Sequence, residues 1–211
     1  VGNGAYLSVE KGAKFENVSL LNVGNLWVSA GSSAGVISGS DLEGITFQSG
    51  STIDVRQGTL SDFHLPADVF LTIDQWNSAS NLVIAGTETV GLMAHDQNSI
   101  IQSGGTQVLF VSAVTSGVVV LSGGTQVVSS AGVSFETHLE SGGTIYVSSG
   151  GSIVNSDDTK LSQGVVNLDG GSVVFTGDTT LNSGVISGSG SIVQEGSGSL
   201  HIASDDGLSG F

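Results

Sequence analysis

A 19-residue echo runs through this chain and constrains its fold more than any other feature. Ser103-Gly104-Gly105-Thr106-Gln107-Val108 returns as Ser122-Gly123-Gly124-Thr125-Gln126-Val127 and again as Ser141-Gly142-Gly143-Thr144-Ile145-Tyr146, so the step is 19 residues twice. Gly12, Gly31 and Gly50 keep the same step near the start. Toward the end, Gly151-Ser152-Ile153-Val154 recurs as Gly171-Ser172-Val173-Val174 and Gly190-Ser191-Ile192-Val193, at steps of 20 and 19. A second phase carries Gly35-Val36-Ile37-Ser38-Gly39-Ser40 into Gly184-Val185-Ile186-Ser187-Gly188-Ser189. Within a period, Gly124 to Gly132 and Gly143 to Gly151 are both 8 residues apart.

Each period therefore holds two or three short β segments between glycine and serine corners. That is too short for a propeller blade and lacks the helix of an α-containing solenoid. The expectation is an all-β fold, a single-stranded parallel β-helix (β-solenoid) with about 19–20 residues per coil. The 211 residues form one domain of about eleven coils, a rod on the order of 50 Å long at the spacing between paired strands. Side chains alternate across each strand. The aliphatic residues Val127, Val147, Ile153, Val173 and Ile192 are expected inside, with Leu139, Leu161 and Leu181 in the other phase. Ser, Thr, Gln and Asn are expected outside. The single proline fits strands whose N–H groups are mostly taken.

The period blurs between about 58 and 102, where Pro66, Trp76, His64, His95 and Met93 collect. This stretch reads as continued coils that are irregular or decorated, with a longer corner near Asp62 to Asp68. Insertions on solenoids often form a binding face. Nothing at either end reads as a strong cap, so a segment of a longer rod is expected.

Composition narrows the function. Nineteen acidic residues against four basic ones give a net charge of -15, which excludes the basic footprint of a nucleic-acid partner. An anionic membrane surface is excluded on the same ground, and no apolar run is long enough to insert as a spanning helix. Hydrophobic residues at 38% and a mean hydropathy of +0.29 argue against disorder. With no cysteine there is neither a disulfide framework nor thiolate chemistry.

Chemical motifs are sparse. Gly31-Ser32-Ser33-Ala34-Gly35 spells a nucleophile elbow, yet it stands in a Ser/Gly-rich repeat corner rather than between a strand and a helix. Polysaccharide-active enzymes on β-helices need clustered carboxylates with a basic residue nearby. The best location for one is Asp54 with the only arginine, Arg56, followed by His64. Asp54, Arg56, His64 and Trp76 are therefore candidates for an interaction region, the first two read chiefly as a surface ion pair. His64, His95, His138 and His201 show no metal-ligand spacing. Asp158 and Asp178, one coil apart, could line an acidic edge for calcium, but the glycine-rich calcium-binding nonapeptide is missing. No cofactor is expected, and the enzyme reading is the weakest.

The segments Leu121–Val133 and Glu140–Ser152 resemble the AIDA-type repeat of passenger domains in self-associating autotransporter adhesins of Gram-negative bacteria. The resemblance is best from Ser103 to Val193, recurs from Gly12 to Val55 and fades between them. It implies an extracellular, cell-surface rod of a type V secretion system, held to the outer membrane by a barrel that this chain does not contain. It also implies self-association, autoaggregation, biofilm formation and adhesion, a role in virulence, and heptose modification of Ser or Thr in some members. This chain departs from ion-paired association, because two copies each carrying -15 repel. A heterotypic adhesin for host glycan or protein, and a passive stalk, remain open beside the homotypic reading.

Overall fold

Strands of two to six residues are too short to stand alone, and here each pairs with its own copy one coil away. The computed structural model describes residues 6–202 except 15, 17, 21–23, 33–34, 156–160, 162–163 and 182–185. The first sheet stacks Tyr6–Glu10, Asn25–Ser29, Thr52–Gln57, Phe70–Ile73, Thr87–Val90, Thr106–Leu109, Thr125–Val128 and Thr144–Ser148 in parallel. It then runs through the opening halves of two longer strands, Val165–Phe175 and Ile186–Gln194. A second sheet stacks Val36–Ser38, Thr59–Ser61, Ser78–Ser80, His95–Gln97, Val114–Ser116, Val133–Phe135 and Ser152–Asn155. The closing halves of the same two long strands complete it. A narrower third sheet joins His64–Leu65, Val83–Ile84, Ile100–Ile101, Val119–Val120 and His138–Leu139. The fold is a single-stranded parallel β-solenoid.

The rod has about nine coils, not eleven. The step from Asn25 to Thr52 takes 27 residues, because that coil also holds the 3-10 helix Gly39–Leu42 and the strand Ile45–Phe47. The step from Thr144 to Val165 takes 21. Between them the coils tighten to 17 residues from Phe70 to Thr87, then settle at 19 from Thr87 to Thr144.

The Ser-Gly-Gly signature is explained by its corner. Gly104 adopts φ +82°, a left-handed turn that glycine makes without a Cβ penalty. Its neighbour Gly105 faces a different constraint, since a Cβ there would lie 2.1 Å from the Ile84 carbonyl oxygen of the coil below. One glycine turns the chain and the next lets the coils close.

Alternation then divides each strand between core and surface. Val90, Leu109, Val128 and Val147 form a buried aliphatic column, continuing Val9, Val28, Val55 and Ile73. Val127 therefore faces outward, contrary to the expectation from sequence, and Gln126 beside it is fully buried. Val147, Ile153, Val173, Leu139 and Leu161 are buried as expected, and Ile192 packs partly buried against the same core. The side chain of Leu181 lies outside the described residues.

This register makes a direct prediction. Val128→Ala removes two buried methyl groups and should cost about 2 kcal/mol, whereas Val127→Ala should stay within about 0.5 kcal/mol of the parent. Denaturant unfolding of both variants measures the difference.

Candidate functional site

Most inward columns are aliphatic from end to end, but in three consecutive coils two facing columns turn polar. On the first sheet the column reads Leu71, Glu88, Gln107, Gln126, Ile145. On the second it reads Ala79, Asp96, Thr115, Ser134, Ile153. All six polar members are fully buried. They hydrogen-bond to one another across the core. The Gln126 Nε2 amide donates to Gln107 Oε1 at 2.8 Å, and Gln107 Nε2 donates to Glu88 Oε2 and Asp96 Oδ2, each at 2.7 Å. Gln126 Nε2 also reaches Ser134 Oγ at 3.1 Å, while Thr115 and Ser134 share a hydrogen bond of 2.7 Å.

Buried polar groups flank this spine. Ser99 Oγ donates to Asp96 Oδ1 at 2.7 Å and accepts from the Leu82 N–H at 3.1 Å. At the other end Ser134 and Thr137 share a bond of 2.6 Å. Thr137 N–H then donates to Asn155 Oδ1 at 3.0 Å, and Asn155 Nδ2 returns a bond to the Thr137 carbonyl at 2.9 Å.

Glu88 and Asp96 are two carboxyl groups in a dry core, where both cannot ionise cheaply. Burial, then the nearby Asp96 charge, pushes Glu88 well above the usual carboxylate range, with the Gln107 hydrogen bond opposing. Burial pushes Asp96 up to about 6 against the hydrogen bonds from Ser99 and Gln107. The Glu88 Oε1 atom is buried without a hydrogen-bond partner, as is Gln126 Oε1. Sealed inside the rod, these acids touch no solvent and serve the fold rather than an external ligand.

The residues singled out from sequence lie elsewhere. Arg56 Nη2 approaches Asp54 Oδ2 at 3.4 Å, its Nε lies 4.0 Å from Asp74 Oδ2, and its guanidinium sits 3.7 Å above the Trp27 ring. Tyr6 packs against Trp27, their ring centroids 4.1 Å apart. The cluster thus spans four coils of the first sheet. Asp74 is raised by partial burial and by the Asp54 charge, with Arg56 pulling the other way. An exposed pair of this kind contributes little to stability, and the cation–π contact adds modestly.

Trp76 sits in the turn that Asp74 opens after the strand Phe70–Ile73 and is largely exposed, in a left-handed conformation with φ 69°. His64 belongs to the third sheet, paired in register with Val83, and the structure does not bring it to the Arg56 cluster. Asp178 is exposed, and its Oδ1 accepts from the Ser199 N–H at 2.8 Å and from Ser199 Oγ at 2.9 Å, which lowers its pKa. It staples one coil to the next. Asp158 and Ser33 lie outside the described residues. Among the described residues no three His, Asp or Glu side chains gather where a metal ion could be held. A shallow polar hollow near the start is lined by Ala13, Lys14, Glu16, Ser40 and Glu43. No described helix is long and apolar enough to cross a membrane.

Among solved structures the chain matches a TibA fragment, hyper-glycosylated by TibC, over 99% of this chain and 96% of that one, with a TM-score of 0.63 and 21% identity. It shares the fold of TibA. No family model and no curated protein matches the chain. The likeness to TibA runs the length of the solenoid, including the stretch where the sequence repeat fades.

The buried acids set a pH response. Their folded pKa values lie above the unfolded ones, so the folded rod holds more protons above about pH 4, and stability falls as pH rises from there through about 6 and beyond. The thermal midpoint should be higher at about pH 5 than at about pH 8, and Glu88→Gln should narrow that gap by removing one titrating carboxyl from the core.

Proposed function

We propose that the chain is part of a surface-displayed passenger rod of the AIDA type, and that it mediates cell–cell self-association, aggregation and biofilm formation. One observation carries this reading: the end-to-end fold likeness to TibA, in a chain whose own repeats resemble the AIDA repeat. The form of the molecule agrees. A solenoid projects a long lateral surface rather than a cleft, and lateral surfaces suit contact between neighbouring rods. On this reading the rod is secreted through a type V pathway and held outside the outer membrane by a barrel elsewhere in its polypeptide. The outward hydroxyl rows, such as Thr87, Thr106, Thr125 and Thr144 on the first sheet, are where sugar would be attached if the chain is modified as the TibA fragment is.

A second reading, a heterotypic adhesin for glycan or protein, is favoured by the exposed indole of Trp76, two residues along the chain from Asp74 of the Arg56 cluster. Two-colour beads separate the readings. Beads coated with the chain should form mixed clumps with one another and leave uncoated beads dispersed. Coated beads that stay dispersed at every salt concentration would contradict self-association and leave the heterotypic rod.

A further inference from the structure

The middle of the rod is built inside out. Its core carries Glu88, Asp96, Gln107, Gln126, Thr115 and Ser134, while its surface carries large apolar side chains. From Gln97 to Phe135 the sequence has no Asp, Glu, Lys, Arg or His, although the whole chain carries -15. Ionisable residues flank this stretch on both sides along the sequence, and a belt free of them lies between.

The apolar surface is concentrated at one corner. After four successive first-sheet strands the chain turns with a hydrogen bond spanning three residues: Asn77 N–H to the Asp74 carbonyl, Ala94 to Gly91, Ala113 to Phe110, and Gly132 to Ser129. The equivalent turns stack along the rod. Three successive turns present Trp76, then Leu92 and Met93, then Phe110 and Val111, with Trp76 67%, Phe110 50% and Val111 48% exposed. The next turn along presents Ser129, Ser130 and Ala131 instead. The turn itself is thus satisfied by small residues.

Backbone conformation sharpens the contrast. Trp76 and Met93 occupy the third turn position with φ of 69° and 55°, a region that disfavours bulky side chains and suits glycine. Gly150 fills the matching position two coils beyond Ser112 with φ 79°. Large side chains held out into solvent from a left-handed backbone benefit neither the core nor the turn. Contiguous exposed apolar surface of this sort marks a contact site.

We propose that this ridge is where a second copy of the chain docks, side by side. The inference rests on the self-association reading above and assigns its surface. Two arguments select a second copy. Like-charged rods approach most easily where neither presents ionisable groups, and the Phe110–Val111 end of the ridge lies within the belt from Gln97 to Phe135 on both partners, away from the Asp74 carboxylate at its Trp76 end. The knobs of the ridge also repeat at the coil rise of about 4.8 Å, so they interdigitate with a surface of the same repeat, which another copy provides. The contact is driven by apolar burial and opposed by long-range repulsion, so added salt strengthens it by screening.

Sedimentation velocity across protein concentration, at low and high salt, tests this on three proteins: the parent, the variant Leu92→Ser/Phe110→Ser/Val111→Ser, and the control Phe135→Ser on the second sheet. The triple variant adopts the serines that the next turn already uses, and circular dichroism checks its fold. The expected result is parent and control that dimerise more strongly at high salt, and a triple variant at least tenfold weaker. A triple variant that dimerises like the parent, or a control equally weakened, overturns the ridge while self-association stands. A parent that stays monomeric throughout overturns both.

Discussion

Parallel backbone pairing at a fixed rise governs this molecule. Each coil hydrogen-bonds to the next, for example Thr125 N–H to the Gly105 carbonyl at 3.0 Å and Thr144 N–H to the Gly124 carbonyl at 3.1 Å. Every residue is thereby forced into a column with its equivalents above and below, and its neighbours along the rod are chosen by the period, not by sequence adjacency. Like then stacks on like. Aliphatic columns bury continuous apolar surface, glycine columns allow the corners to close, and a polar residue in the core is tolerable only where a column neighbour, the facing column or the backbone takes its hydrogen bonds.

The Glu88–Gln107–Gln126 column and the Asp96–Thr115–Ser134 column meet that condition together. Their presence bears on register. With a 19-residue repeat, slipping the pairing by one coil would leave most aliphatic columns intact, so apolar burial alone discriminates weakly between registers. A slip across the spine would part the donors from their acceptors, for example taking the Gln107 amide away from the Glu88 and Asp96 carboxyls. Each polar group so stranded costs about 1–3 kcal/mol. Polar core residues act here as a key for the correct stacking, in the manner of a buried polar residue that fixes coiled-coil register.

Much of the fold was legible because the repeat is literal. Three Ser-Gly-Gly corners at one step implied coils, and coils of 19 residues with short strands implied a solenoid. The number of coils was not legible, since the 27-residue step around Gly39–Leu42 carries no mark in the repeat. The inward face was misread in Thr125-Gln126-Val127-Val128 because each alternating phase contains one valine, and hydrophobicity alone favours leaving Gln outside. Comparing copies down the period resolves it: the column of Val128 is Val90, Leu109 and Val147, whereas the column of Val127 is Thr89, Val108 and Tyr146. The spine itself was beyond a one-dimensional reading. Asp96 and Gln107 are brought together by the closure of a coil, and their spacing of 11 residues matches no simple motif. The Asp54–Arg56 pair, local along one strand, was legible for the opposite reason.

The buried amides offer the most direct test of the stacking described here. Side-chain N–H2 groups of surface glutamines exchange with water rapidly, whereas those of Gln107 and Gln126 are sealed between coils and hydrogen-bonded. Hydrogen exchange followed by NMR should find both amide groups strongly protected, with the backbone amides of Thr106–Leu109 and Thr125–Val128 protected alongside them. Rapid exchange of the two side-chain amides within a protected backbone would place them outside the rod, and would contradict the register on which the account depends.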